Sequence, residues 1–240
     1  MSVNSLVMGR DTSALLQDWH SVAKLIDHTL LNPVATGGDV IKLCSEAKRF
    51  EFFCVMVNPA WVAVAAAQLH GTPVKVGTVI GFPLGANLTV TKLAEAEAAV
   101  QNGAHELDMV MNIGALKGGD RVPVQSEIRS LAKMAHNHGA ILKVIIEIAL
   151  LNQEEKILAC ALAQDAGADF VKTSTGFAAS GATAADVALM RGVVGHSMGV
   201  KAAGGICTAA QLAEMVDAGA NRIGASASVA IVRELGASGE

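Results

Sequence analysis

The sequence predicts an α/β protein of the (β/α)8-barrel class, as one domain over residues 1–240 with a short N-terminal helix. The chain has 240 residues, which is just under the usual size of one complete barrel. Apolar residues make up 52% of it and charged residues 17%, as expected when helices bury both faces of a parallel sheet. Short β-rich runs also alternate with longer amphipathic runs along the chain, and no linker interrupts them.

Eight segments have the pattern of short buried strands. Each is several residues long, rich in apolar residues and bounded by turn-forming residues. The predicted strands are Ala23–His28, Phe52–Val57, Val74–Ile80, His105–Met109, Ile141–Ile148, Asp169–Thr173, Gly199–Ala203 and Arg222–Ala225.

The segments between the strands have helical patterns. In Glu154–Ala166 the apolar residues recur at helical spacing on one face. A Gly-Ala pair recurs between helix and strand, where glycine suits the left-handed position after a helix. The pairs precede the fourth, fifth, sixth and eighth strands, at residues 103–104, 139–140, 167–168 and 219–220.

A doubly wound open sheet is the alternative fold. It usually has a glycine-rich nucleotide-binding loop after its first strand, whereas residues 30–33 of this chain are LLNP. The closed barrel is therefore preferred.

Composition and charge exclude several classes of function. The net charge is −4 and no basic block or aromatic platform is present, which argues against nucleic-acid binding. No apolar run reaches the roughly 18 residues of a membrane span, and the first twenty residues do not resemble a secretory signal. The four cysteines form no CxxC pair, which favours a reducing compartment. We expect a cytoplasmic protein that acts on a small molecule.

Two lysines on consecutive predicted strands are the leading catalytic candidates. Active sites of these barrels lie at the carboxyl ends of the strands, where Lys172 ends an apolar run. Lys201 lies on the next strand, and adjacent strands are only about 4.8 Å apart. Mutual repulsion and burial disfavour protonation, so one amine should be neutral near pH 7, as nucleophilic attack on a carbonyl to form an imine requires.

Asp108 is the candidate for proton transfer. It shares a strand face with Glu106, and we expect it to carry protons through a water molecule. On the next strand Lys143 and Glu147 share a face, so Lys143 is expected to pair with Asp108 and keep it ionised. A purely structural ion pair is the alternative.

Two glycine-containing turns are candidates for phosphate binding. Gly204-Gly205 follows the seventh strand and Gly224-Ala225-Ser226 the eighth, where barrels of this kind often bind phosphate. Turn geometry alone is the alternative explanation. No metal-binding cluster is evident, and imine chemistry needs none, so we expect neither a metal nor another cofactor.

Together these segments resemble the deoxyribose-phosphate aldolase family of class I (Schiff-base) aldolases. The resemblance extends from about Leu25 to Val229, and several of its motifs are specific. They are residues 26–31 (IDHTLL), 79–85 (VIGFPLG), 106–108 (ELD), 143–147 (KVIIE), 170–176 (FVKTSTG) and 200–205 (VKAAGG).

The resemblance implies reversible cleavage of 2-deoxy-D-ribose 5-phosphate to acetaldehyde and D-glyceraldehyde 3-phosphate. It makes Lys172 the imine-forming nucleophile, Lys201 the neighbour that lowers its pKa, and Asp108 the acid and base. The resemblance also implies that the substrate pocket contains Asp27, Thr29, Cys54, Lys143 and Thr175. It implies that the phosphate is bound by Gly204, Gly205, Gly224 and Ser226. A homodimer or higher homo-oligomer is a further expectation.

Three departures from the family pattern concern phosphate binding and proton transfer. Ala227 stands where some members have a second serine, and Phe177 where some have a phosphate-contacting lysine. The chain has no tyrosine, whereas some members end in one that assists proton transfer. Phosphate binding is therefore expected to depend more on backbone amides, and proton transfer on water and Asp108.

Two other functions are alternatives. The first is another Schiff-base aldolase of the same fold, acting on a different sugar phosphate or keto acid. The second is a barrel that binds sugar phosphates without catalysis, although a neutral amine brings little advantage to a binding module. Asp27 and Thr29 are alternatively turn-stabilising residues, and Cys54 a packing residue.

Overall fold

The computed structural model describes residues 12–238 and contains a closed barrel of eight parallel strands, which confirms the predicted fold class. The strands pair in chain order, and β8 pairs with β1 to close the barrel. They are β1 (Ile26–Leu30), β2 (Cys54–Val57), β3 (Lys75–Ile80), β4 (Glu106–Val110), β5 (Ile141–Ile145), β6 (Phe170–Lys172), β7 (Gly199–Ala203) and β8 (Arg222–Ala225).

Helices surround the barrel, and two short ones precede it. Short 3-10 turns cover Pro59–Trp61 and Ile148–Leu150. The helices are α1 (Thr12–Leu15), α2 (Trp19–Ala23), α3 (Gly37–Arg49), α4 (Val62–Leu69), α5 (Thr89–Gln101), α6 (Ile113–Lys117), α7 (Arg121–Asn137), α8 (Gln153–Asp165), α9 (Ala184–Val194), α10 (Ala209–Asp217) and α11 (Ser228–Glu234).

Local sequence signals explain where these helices begin and end. Capping boxes begin α3, α8 and α10 at Thr36, Asn152 and Thr208. The helix predicted over Glu154–Ala166 therefore starts one residue earlier, directly after Asn152. The glycines of the four Gly-Ala pairs have φ values of 103°, 71°, 87° and 110°, which confirms the left-handed position after each helix.

The first and fifth predicted strands differ most from the structure. The carboxylate of Asp18 caps α2 through the amides of His20 and Ser21, so Ala23 ends a helix and β1 begins only at Ile26. At its other end β1 extends to Leu30, which places Thr29 in the strand. The fifth strand stops at Ile145, because Glu147 has a left-handed backbone with φ of 53° that cannot continue a ladder.

Apolar residues fill the layer between strands and helices, whereas the barrel interior holds a set of buried charged side chains. Its members lie on six different strands and are at most 4% exposed: Asp27, Glu106, Asp108, Lys143, Lys172, Lys201 and Arg222. In the part of the chain that the structure describes, no helix has both the length and the apolar character needed to cross a membrane. One domain over residues 1–240 stays a prediction, because residues 1–11 and 239–240 lie outside this part.

Candidate active site

A cavity of about 260 Å³ lies at the carboxyl ends of β1, β6, β7 and β8. Lys172 is the only lysine or arginine among the described residues that line it, and the exposed thiol of Cys207 lies on its wall. Seven of the predicted site residues line this cavity: Thr29, Lys172, Thr175, Gly204, Gly205, Gly224 and Ser226. The structure therefore brings these seven residues together around one cavity.

The two predicted catalytic lysines lie side by side. Lys172 of β6 is the direct cross-strand partner of Lys201 of β7. Their Nζ atoms donate to the same oxygen, Oδ2 of Asp108, over 2.9 and 2.8 Å. Burial lowers the pKa of Lys172 to about 8, with a further contribution from the charge of Lys201, while the Asp108 carboxylate opposes the shift. A neutral amine is therefore accessible near physiological pH.

Asp108 lies where three ammonium groups meet. Its Oδ1 accepts a hydrogen bond from Lys143 over 2.7 Å, and its Oδ2 accepts from Lys172 and Lys201. Burial alone would raise the pKa of this carboxyl, but the three ammonium groups hold it well below its usual value. Asp108 is therefore a carboxylate in the resting site.

Three residues expected in the substrate pocket lie beneath the cavity rather than on its wall. Asp27 accepts a hydrogen bond from Lys201, and Lys143 contacts Glu106 over 2.6 Å as well as Asp108. Cys54 is fully buried, and burial raises the pKa of its thiol well above the usual value, so it is neutral. Direct contact of these three residues with substrate stays a prediction, while Asp27 contacts Lys201 and Lys143 contacts Asp108.

Sequence reasoning missed Arg222. Its Nη1 donates to Oδ1 of Asp27 over 2.9 Å and contacts Oε2 of Glu106 at 3.1 Å. The guanidinium lies 3.6 Å from the centroid of the Phe53 ring, an arrangement that favours a buried cation. The sequence could have indicated this residue, because Arg222 is the first residue of a short buried strand. A charged side chain is costly there unless it is paired.

The hydroxyl residues after Lys172 fix the loop that follows β6. The Thr173 hydroxyl donates to the carbonyl of Ala203 and accepts from its amide, both over 3.0 Å, which ties this loop to the end of β7. The Thr175 hydroxyl donates to the buried carboxylate of Glu147, whose left-handed backbone turns it toward this loop. Glu147 thus fixes the loop that follows β6, a role that the strand pattern did not indicate.

Small residues form the far end of the cavity. Gly204 and Gly205 have φ values of 92° and 77°, a conformation that side chains disfavour. A Cβ at Gly224 would lie 3.1 Å from Cε of Lys201, so glycine leaves room for the lysine. Phe177, which directly follows the lining residue Gly176, is 53% exposed and packs edge-on against Phe82. This end thus offers backbone and hydroxyl groups to an anion, with no second lysine or arginine in the described lining.

Comparison with known proteins shows which family this chain resembles. The model of the DeoC/LacD aldolase family matches residues 21–238. A deoxyribose-phosphate aldolase of Aciduliprofundum boonei is 56% identical over 218 residues, which cover 91% of this chain and 98% of that protein. One from Thermococcus gammatolerans is 58% identical, covering 88% of this chain and 95% of the relative.

A solved structure of similar shape is the deoxyribose phosphate aldolase of Aeropyrum pernix, which is described as tetrameric. It is 33% identical, the match covers 99% of both chains, and the TM-score is 0.88. Sequence and shape therefore agree over nearly the whole molecule, and the chain belongs to the DeoC/LacD family of aldolases.

Proposed function

We propose that this aldolase reversibly cleaves 2-deoxy-D-ribose 5-phosphate into acetaldehyde and D-glyceraldehyde 3-phosphate through an imine on Lys172. The observation that carries the proposal is the amine of Lys172, which lines the cavity with a pKa of about 8 and shares an oxygen of Asp108 with Lys201. The names of relatives that are 56% and 58% identical support the choice of substrate.

In the first half of the reaction the neutral amine of Lys172 attacks the C1 aldehyde and forms a carbinolamine. Loss of water then gives the protonated imine, whose positive charge withdraws electrons from C2. Asp108 is within hydrogen-bond distance of Nζ of both lysines, so protons can pass between the amine, Lys201 and a water molecule.

In the second half the C3 hydroxyl loses its proton and the C2–C3 bond breaks. The electron pair of that bond neutralises the imine and leaves an enamine on Lys172, while glyceraldehyde phosphate departs. Protonation of the enamine carbon and addition of water then release acetaldehyde and restore the amine. The chain has no tyrosine for these transfers, so we assign them to Asp108 and water.

Reductive trapping tests this proposal. Incubation with acetaldehyde and sodium borohydride should reduce the imine and leave a two-carbon adduct on Lys172. With 2-deoxy-D-ribose 5-phosphate the adduct should have two carbons, or five where the imine is reduced before cleavage, and peptide mass spectrometry would locate either adduct. Lys75 lies in the exposed first position of β3 and serves as the internal control. Turnover without an adduct on Lys172 would contradict the imine mechanism, and binding without turnover would support the non-catalytic barrel.

The pH dependence of kcat/KM should have an acid limb set by Lys172. Because the free enzyme reacts only with a neutral amine and the pKa of Lys172 is about 8, kcat/KM should rise with pH and level off above about pH 8. Two units below that pKa only about 1% of the amine is neutral, so a loss of roughly 100-fold is expected near pH 6. A flat profile between pH 6 and 8 would refute the assignment.

Replacing Phe177 with lysine should strengthen phosphate recognition. No second lysine or arginine among the described residues lines the cavity, and the exposed Phe177 directly follows the lining residue Gly176. A charge-assisted hydrogen bond there, partly screened by solvent, should lower KM for 2-deoxy-D-ribose 5-phosphate about fivefold and leave kcat unchanged. Phe177→Met is the matched control. An equal effect on unphosphorylated 2-deoxy-D-ribose would show that charge is not the cause.

We also infer that the protein is a homo-oligomer in the cytoplasm. The Aeropyrum pernix relative is described as tetrameric, which supports a homo-oligomer here. Three of the four cysteines are buried as free thiols, which supports a reducing compartment such as the cytoplasm. Light scattering would measure the mass against 24.6 kDa for one chain, and fractionation of cells would test the location.

A further inference from the structure

The charges inside the barrel form one connected set, of which only Lys172 lines the cavity. We refer to the seven residues as the interior charge set. Three are carboxylates and four are cations: Asp27, Glu106 and Asp108 on one side, and Lys143, Lys172, Lys201 and Arg222 on the other. Their contacts cross the barrel between β1, β4, β5, β6, β7 and β8.

Arg222 lies at the far side of this set and reaches Lys172 by two routes. Through Asp27 it connects to Lys201, which contacts Oδ2 of Asp108. Through Glu106 it connects to Lys143, which contacts Oδ1 of the same carboxylate. Both routes therefore end at Asp108, which among residues 12–238 is the only carboxylate that Lys172 contacts.

A count of charges explains why Lys172 gives up its proton. Three carboxylates balance the two other lysines and Arg222, so a proton on Lys172 leaves one buried positive charge without a counterion. An unmatched charge in a low-dielectric interior is costly. The remaining strands do not alter the count: Cys54 of β2 is a neutral thiol, and Lys75, the only titratable residue of β3, is exposed.

We propose that Arg222 and Glu106, which do not line the cavity, are positioning residues that set the fraction of Lys172 that is neutral. Arg222 binds the carboxylates of Asp27 and Glu106. Lys201 and Lys143 therefore keep their ion pairs with Asp108 and compete with the Lys172 ammonium group for that carboxylate. Glu106 acts in the opposite direction, because it draws Lys143 away from Asp108. The inference rests on the proposed function, in which neutral Lys172 is the nucleophile.

The same count applies during the reaction. The protonated imine again carries a buried positive charge that has no counterion. The enamine is neutral, so its formation restores equal numbers of positive and negative charges in the barrel interior. The interior charge set thereby favours bond cleavage as well as the initial attack.

Two variants should act in opposite directions. Arg222→Met removes a cation and frees Asp27 and Glu106 to attract Lys201 and Lys143, so Lys172 should stay protonated to higher pH. Glu106→Gln removes a negative charge and should keep Lys172 neutral at lower pH. A unit charge about 10 Å away, in a medium of effective dielectric constant about 20, moves a titration midpoint by about one pH unit.

The experiment measures the pH midpoint of adduct formation rather than turnover. Each folded variant is incubated with acetaldehyde and cyanoborohydride across pH 5–10, and mass spectrometry quantifies the initial rate of adduct formation on Lys172. Arg222→Lys retains the charge and should keep the wild-type midpoint. A higher midpoint for Arg222→Met and a lower one for Glu106→Gln support the inference.

Equal midpoints in all variants, or shifts in the same direction, would overturn it, because a merely structural role lowers rates without opposite shifts. If circular dichroism shows that Arg222→Met does not fold, Glu106→Gln alone decides: a lower midpoint supports the inference, and any other midpoint overturns it. Absence of an adduct on wild-type Lys172 would instead refute the proposed function, so the two failures are distinguishable.

Discussion

Replacing Lys172 with methionine should lower kcat/KM by more than about 10⁴-fold while making the protein more stable. Methionine keeps the length of the side chain but cannot form an imine, and loss of the nucleophile removes the covalent route. At pH 7 the folded wild-type protein must hold an ammonium group whose pKa is about 8, whereas the unfolded chain holds it at the ordinary value of 10.5. That difference disfavours the folded state increasingly as pH falls from about 10.5 to about 8 and has its full effect below pH 8, and methionine removes it.

The free energy of unfolding at pH 7, measured by thermal unfolding, should therefore be roughly 1–3 kcal/mol higher for Lys172→Met than for the wild type. Lys75→Met is the matched control, since Lys75 is also a strand lysine but lies exposed at the amino end of β3. We expect this control to retain activity within about twofold. Loss of activity accompanied by loss of stability in Lys172→Met would mean that Lys172 is a structural lysine after all.

Replacing Asp108 with asparagine should lower kcat by about 10²- to 10⁴-fold, the range expected when a proton-transfer group is lost. Because the carboxylate normally holds the proton on Lys172, its removal should lower the pKa of Lys172 and move the acid limb of kcat/KM to lower pH. The three ammonium groups would lose their shared counterion, which should reduce the free energy of unfolding by about 3 kcal/mol.

Asp169→Asn is a suitable comparison, because Asp169 directly precedes β6 and pairs with His136 at the opposite end of the barrel. We expect it to leave the pH profile unchanged. An acid limb of Asp108→Asn that moves to higher pH would contradict the assigned direction of the electrostatic effect.

The parts of the site that follow from position along a strand were predictable. Lys172 ends an apolar run and Lys201 lies on the next strand, and parallel pairing of neighbouring strands places the two residues side by side. Asp108 and Lys143 followed from the same reasoning. The cavity glycines followed from the usual location of anion sites in these barrels.

The parts that depend on contacts across the barrel were not predictable in this way. Arg222 contacts Glu106 from a strand that does not adjoin β4, and no sequence spacing encodes that distance. Glu147 looked like an inward strand residue, but its left-handed backbone takes it out of the ladder. The first strand was misplaced because a helix cap at Asp18 overrode the apolar pattern that continues into Ala23.

The thiol of Cys207 offers a practical handle on this molecule. The cysteines at positions 44, 54 and 160 are buried, whereas Cys207 is exposed on the cavity wall. A maleimide fluorophore should therefore couple at a single place and sense the emptying and filling of the neighbouring cavity. Ligand occupancy could then be followed in real time, without any chemical conversion of the ligand.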